Sequence, residues 1–143
     1  MQILGISGSL RAQSFNTSAL RLAGSLMPPG MQLELLDWRH VPPFDADLLA
    51  SGIPPVVQEV REQLRAADGV LIVTPEYNFS IPGMLKNLID WVSRGPDQPL
   101  ARKPVAILSA ATGPLGGGRV QYDLRKVLLF VEAFVLTKPE VCI

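Results

Sequence analysis

The chain has 143 residues, 48% of them apolar and 18% charged, with 13 Lys and Arg balancing 13 Asp and Glu. That is one domain, residues 1–143, with enough apolar content for a sizeable core and too little charge for a disordered chain. The neutral balance argues against nucleic-acid or membrane partners, and one cysteine (Cys142) with one histidine (His40) leaves no intrachain disulfide and no Cys/His zinc site. Gln2–Ser7 reads as a first strand and Asn16–Leu26 as a helix with Leu20, Ala23 and either Ala19 or Leu26 inward. Gln32–Leu36 is a second strand and Pro55–Ala67 a second helix presenting Val56, Val60 and Leu64. Gly69–Thr74 is an unbroken apolar run, the pattern of a strand buried on both faces. A helix over Pro82–Ser93 follows, opened by a proline and carrying Leu85, Leu88, Ile89 and Val92 on one face. Pro104–Ser109 is a fourth strand, Val120–Val131 a fourth helix, and Ala133–Leu136, extending towards Val141, a fifth strand.

Strands and helices in strict alternation imply an α/β fold with a doubly wound parallel sheet. Five strands fit the flavodoxin-like order 2-1-3-4-5 better than the six-stranded dinucleotide fold. The sequence given stops after strand five, without the helix that normally covers that edge. A further segment or a partner subunit is therefore expected over it. No run of apolar residues approaches the roughly 20 needed to span a bilayer, and Met1 leads straight into a strand, so a cytoplasmic protein is the expectation.

In a 2-1-3-4-5 sheet the loops after strands one, three and four share one edge, and ligands bind at that edge. The first loop, Gly8–Thr17, offers Ser9, Ser14, Asn16 and Thr17 as hydrogen-bonding groups, Arg11 as a guanidinium, and the N-terminus of the following helix. This set suits one terminal phosphate. It matches neither the triphosphate-binding GxxxxGK[ST] pattern nor the dinucleotide-binding GxGxxG pattern. Simple helix capping explains Ser14 or Asn16 alone and leaves Ser9 and Arg11 without a purpose. The third loop, Pro75–Ile81, carries Tyr77 and Phe79, flat surfaces suited to a planar heteroaromatic ring. Glu76, the one carboxylate there, is expected to stabilise the loop or a helix N-terminus, since no histidine or second carboxylate accompanies it. The loop Ser109–Arg119 is rich in glycine, which permits close backbone approach to a ligand and equally suits a plain flexible connection.

The motifs GSLRxxSxN at Gly8–Asn16, PEYNxxxPGxLKNxIDW at Pro75–Trp91 and GxxGGxR at Gly113–Arg119 together resemble the NADPH-dependent FMN reductase family, nearest to its chromate/quinone reductase and azoreductase-like members. The resemblance covers essentially the whole chain. It implies FMN as cofactor and NADPH or NADH as reductant. It further implies that Ser9, Arg11, Ser14, Phe15, Asn16 and Thr17 hold the FMN phosphate. Pro75, Glu76, Tyr77, Asn78 and Phe79 would lie against the ring, partly through backbone atoms, and Ser109, Ala111 and Gly113 would border its other edge. Where relatives often carry hydroxyls, this chain has Ala110 and Ala111, so any bonding there falls to backbone amides. The implied reaction passes a hydride from NAD(P)H to the flavin, then electrons to a quinone, azo compound or metal oxyanion such as chromate. Flavin carries that chemistry, so no side chain is nominated as catalytic and no metal is expected. The family further implies a homodimer or homotetramer. Two other classes remain at this stage: a flavodoxin-type electron carrier, against which the neutral charge argues mildly, and an interaction domain that has kept the fold without binding FMN.

Overall fold

A computed structural model describes residues 1–143. Its elements in chain order are β1 (Gln2–Ser7), α1 (Phe15–Ser25), β2 (Gln32–Leu35), α2 (Ala46–Ala50), α3 (Pro55–Ala66), β3 (Gly69–Thr74), α4 (Gly83–Val92), β4 (Pro104–Ser109), α5 (Gly118–Phe130), β5 (Phe134–Val135) and β6 (Val141–Cys142). The strands form one parallel sheet in the order β2-β1-β3-β4-β5, the order expected from the sequence.

Register follows burial. β3 sits in the middle, pairing Ile72 with Ile6 of β1 and Ile107 of β4, and all six of its residues are buried. A strand covered on both faces has no use for polar alternation, which is why Gly69–Thr74 is apolar throughout. Successive side chains point to opposite faces, so Val70 and Ile72 join the larger core while Leu71 and Val73 join the smaller.

The larger core lies under α3, α4 and α5. There Val57, Val60, Leu64, Leu85, Leu88, Ile89, Val92, Leu124 and Leu128 are buried against the sheet. Each such side chain contributes roughly 1.5–3 kcal/mol of burial free energy. The opposite face carries α1, anchored by Leu20 on Leu71 and Val73. Val135 packs into the larger core, so its neighbours Phe134 and Leu136 point to the α1 side, where they are 61% and 49% exposed. That corner of the sheet has no helix over it.

Several expected boundaries shift. Ser14 is the N-cap of α1, and its hydroxyl accepts from the Thr17 N–H at 3.3 Å, so the helix starts at Phe15. Leu26 closes that helix and is 72% exposed, leaving the inward role to Ala19, Leu20 and Ala23. Pro82 has ψ 131° and stands before α4 instead of inside it. The short α2, capped by Asp45 accepting from Asp47 N–H at 2.8 Å, escaped the sequence reading. The fifth strand is split: β5 pairs with Pro104 and Val105, whereas β6 pairs with Leu108 and Ser109. Pro139, between them, has no N–H to give the ladder.

Candidate active site

The carboxyl ends of β1, β3 and β4 bring three loops to one edge. β1 and β3 are adjacent, so the Gly8 N–H donates to Val73 O at 2.8 Å. A Cβ at Gly8 would lie 2.2 Å from Thr74 Oγ1, and no side chain fits there. Glycine is what allows the first loop to leave over the end of β3.

In that loop, Ser9 is half-buried and its hydroxyl accepts from the Arg11 N–H at 3.3 Å. Arg11 is exposed, and its guanidinium forms no hydrogen bond or ion pair within the chain. At the start of α1 the N–H groups of Phe15 and Asn16 have no acceptor within the chain, as the first turn of a helix requires. Thr17 shares a 2.7 Å hydrogen bond with the Ser7 hydroxyl. These groups form an anion-binding concavity of amides, hydroxyls and one free guanidinium.

Two of the phosphate-loop side chains expected from the sequence serve the protein. Ser14 is buried and caps α1. Asn16 is 3% exposed, and its amide clasps the backbone of Ala110, donating from Nδ2 to the carbonyl and accepting at Oδ1 from the N–H, both at 2.9 Å. Asn16 therefore offers a ligand its backbone N–H and no side chain. Its side chain bolts the β1 loop to the β4 loop.

The loop after β3 is a two-residue hairpin turn. Tyr77 and Ser80 exchange N–H···O bonds of 3.0 Å each, around Asn78 and Phe79 at φ 52° and 65°. Two consecutive left-handed residues make a type I′ turn, a conformation that asparagine tolerates and phenylalanine adopts at a cost. Pro75 is buried under the turn, while Tyr77 and Phe79 are 52% and 68% exposed. Arg119 lies over the Phe79 ring, 4.2 Å from its centroid.

Glu76 fixes this turn to α5. Its Oε2 accepts from the Val120 N–H at 3.1 Å in the first turn of that helix, and its Oε1 lies 3.4 Å from Arg119 Nη1. A carboxylate at a helix N-terminus meets the positive end of the dipole. The loop-stabilising role expected for Glu76 is the one the geometry shows.

The β4 loop completes the edge. Ser109 is fully buried; its hydroxyl donates to Gly116 O at 2.7 Å and accepts from Gln121 Nε2 at 2.8 Å, so it holds the glycine turn and does not face a ligand. The expectation of free amides at Ala110 and Ala111 also fails: Ala110 N–H goes to Asn16 Oδ1 and Ala111 N–H to Ile143 O. Unpartnered amides in this loop are those of Thr112, Gly113, Leu115 and Gly117, of which Thr112 and Gly113 come next after Ala111. A cleft of about 340 Å³ runs between Phe79 and Asn78 on one side and Ala111–Leu115 on the other, with Arg119 at its end.

Phosphate concavity and aromatic cleft lie over neighbouring strands, one to two spacings or about 5–10 Å apart. The residues present fit FMN: unpaired donors for the phosphate, and exposed aromatics with unpaired amides beside an open cleft for the ring.

Comparison with known proteins agrees. The sequence profile of the NADPH-dependent FMN reductase family matches residues 1–143. An NAD(P)H-dependent FMN reductase from Pseudomonas aeruginosa is 52% identical over 143 residues, covering 100% of this chain and 77% of that protein. A quinone reductase from Escherichia coli is 49% identical over 142 residues, covering 98% of this chain and 76% of its own. The solved structure of FerB, a flavoenzyme NAD(P)H:(acceptor) oxidoreductase from Paracoccus denitrificans, superposes with a TM-score of 0.92 at 32% identity, covering 99% of this chain and 78% of that one. The chain belongs to the NADPH-dependent FMN reductase family and is an NAD(P)H-dependent oxidoreductase with FMN as its cofactor.

Proposed function

We propose that the protein delivers electrons from NAD(P)H, by way of FMN, to a quinone, and that azo compounds or metal oxyanions such as chromate are weaker alternative acceptors. The single observation that carries this reading is the pairing, on one sheet edge, of unpartnered phosphate donors with an exposed aromatic turn across an open cleft. When bound, FMN supplies the hydride-accepting and electron-donating chemistry.

The chain's own residues bind and orient. Arg11, the Ser9 hydroxyl and the amides of Phe15 and Asn16 hold the phosphate. Tyr77, Asn78 and Phe79 offer the ring its stacking surface, and the Thr112 and Gly113 amides donate to the ring edge that gains negative charge on reduction. Pro75, Glu76, Ser14, Ser109 and the Asn16 side chain keep these groups in place. The cleft is open on the solvent side, which suits a planar acceptor entering after the oxidised nicotinamide leaves. The quinone is preferred because the Escherichia coli relative is named a quinone reductase. A homodimer or homotetramer acting in the cytoplasm belongs to the same reading, supported by Leu129 and Phe130 standing 75% and 76% exposed on α5. No helix is long and apolar enough to cross a membrane.

The test is anaerobic. Flavin-loaded protein is mixed with NADPH, and the yellow absorbance of bound flavin should bleach, then return on adding a benzoquinone. Faster return with an azo dye or chromate than with any quinone would replace the acceptor. Flavin that stays yellow with both NADPH and NADH would overturn the reductase reading.

A further inference from the structure

A second cavity borders the phosphate concavity and shares Ser9, Arg11 and Thr17 with it. It holds about 230 Å³ and lies between the first loop, α1 and the segment that follows β2. Its floor is apolar, from the buried Leu20 and Leu36 with the half-exposed Leu35. Trp38 closes the back, pinned by its indole N–H donating to Ser7 O at 3.1 Å. Around the rim stand three guanidinium groups, those of Arg11, Arg21 and Arg39, against the single carboxylate of Asp37.

That carboxylate is already engaged. Arg39 grips it from Nε at 3.0 Å and Nη2 at 2.7 Å, and the Arg39 backbone N–H adds a third bond at 3.3 Å. The Arg39 side-chain hydrogen bonds hold the Asp37 carboxyl down at about 2, so it is ionised at working pH. Three of the five Arg39 N–H donors remain free, and Arg21 has no partner in the chain. The rim therefore presents more free guanidinium donors than carboxylate acceptor positions.

Size and position narrow the ligand. Pockets for whole ligands run to about 300–1,000 Å³, so this cavity takes one end of a larger molecule. It sits over β1 and β2, whereas the aromatic cleft sits over β3 and β4. Two to three strand spacings, about 10–14 Å, separate them, a span that an extended dinucleotide bridges. In dinucleotide-binding sheets the end of the second strand tells the two nicotinamide cofactors apart: a free carboxylate accepts from a ribose 2′-hydroxyl, and an arginine receives a 2′-phosphate. Here the carboxylate is held by Arg39, and most of the guanidinium donors are free.

We propose that this cavity receives the adenosine 2′-phosphate end of NADPH, with Arg21 and Arg39 as the residues that select NADPH over NADH. The inference rests on the reductase reading. It seats the reductant beside the FMN phosphate, with Ser9, Arg11 and Thr17 on the shared wall.

The deciding experiment is calorimetric titration of the flavin-loaded chain with adenosine 2′,5′-bisphosphate and with 5′-AMP. The bisphosphate should bind about tenfold or more tightly, the factor that one charge-assisted bond supplies. Arg21→Gln and Arg39→Gln together should reduce that preference to about threefold or less and raise the KM for NADPH about tenfold, with KM for NADH and affinity for FMN unchanged. Both side chains are exposed, so the fold should survive, and an unchanged thermal midpoint checks it. Equal binding of the two probes, full preference retained in the double variant, a parallel loss of NADPH and NADH turnover, or displacement of FMN by the bisphosphate would each overturn the assignment. Flavin that neither reductant bleaches sinks the reductase reading instead, and the titration, which needs no turnover, still decides whether the cavity reads a 2′-phosphate.

Discussion

Between Pro75 and Ile81 the chain is held from outside: Glu76 ties it to the first turn of α5, Arg119 lies on the Phe79 ring, and Tyr77 and Ser80 close the turn on themselves. Between Ser9 and Gln13 little holds it beyond the Ser7 hydroxyl, which accepts from the Ser9 N–H, and the Ser9 hydroxyl, which accepts from the Arg11 N–H; the Arg11 side chain has no partner. The difference matches what each loop must offer. A stacking surface works only if the rings stand still before the ligand arrives, so side chains are used to fix Tyr77 and Phe79 in place. A phosphate site works through unpaired donors, so its groups stay free and only its end, at Ser14 and Asn16, is anchored. Rigid placement of one part and open valence in the other are two forms of preorganisation.

The largest effect should come from the anchor shared by both. Asn16→Ala removes the clasp on Ala110 and leaves a buried N–H and a buried C=O unpaired, a loss of about 2–4 kcal/mol. Chemical unfolding should show it directly, and FMN affinity should fall as the β1 and β4 loops separate. A variant as stable as the parent would mean that water replaces the amide at no cost and the clasp is incidental.

Next in size is the tie to α5. Glu76→Ala should cost about 1.5–3 kcal/mol, nearly all of it from the bond to the Val120 N–H. The contact with Arg119 is 3.4 Å long on a half-exposed partner and adds little. Glu76→Gln keeps an acceptor for Val120 and should recover most of the loss. If the glutamine variant is as damaged as the alanine one, the charge and not the hydrogen bond holds the turn, and Arg119 matters more than its distance suggests.

Arg11→Ala tests the open loop. FMN affinity should weaken by about 1–3 kcal/mol, as for loss of a charge-assisted bond, with the stability of the flavin-free chain within about 0.5 kcal/mol of the parent. A fluorescence titration that shows unchanged affinity would remove Arg11 from the phosphate site. A fall in stability of the free chain would mean that the loop is not open at all.

These same residues show where the sequence was readable. Leu85, Leu88, Ile89 and Val92 recur at helical spacing and are all buried, and Gly69–Thr74 is buried from end to end. Periodicity reports such facts because burial repeats with the element. The clasp is different: Asn16 and Ala110 are 94 residues apart, and Glu76 and Val120 are 44 apart. No local pattern says that Asn16 spends its side chain on backbone while its own N–H stays free. Ser109 is similar, a plausible ligand hydroxyl by position that folding turns inward onto Gly116 and Gln121. The I′ turn was hidden for another reason: Asn-Phe lacks the glycine that usually marks two left-handed residues, and tertiary contacts override the local preference. The short α2 and the split fifth strand were missed because five residues and two residues carry no period to detect.

The smallest expected change in stability is at Tyr77, and it is the one that separates a ligand surface from a core. The ring is 52% exposed, and the turn beneath it is closed by backbone bonds that do not need the side chain. Tyr77→Ala should therefore leave the flavin-free thermal midpoint within the range of ordinary surface substitutions, about 0.5 kcal/mol. Stacking is worth roughly 0.5–1.5 kcal/mol beyond burial, so FMN affinity or the rate of flavin reduction should drop by a factor of a few to about tenfold. Stability and flavin binding must then move independently. If they fall together, Tyr77 holds up the turn as Glu76 does, and the division between fixed frame and free surface fails at the residue where it should be clearest.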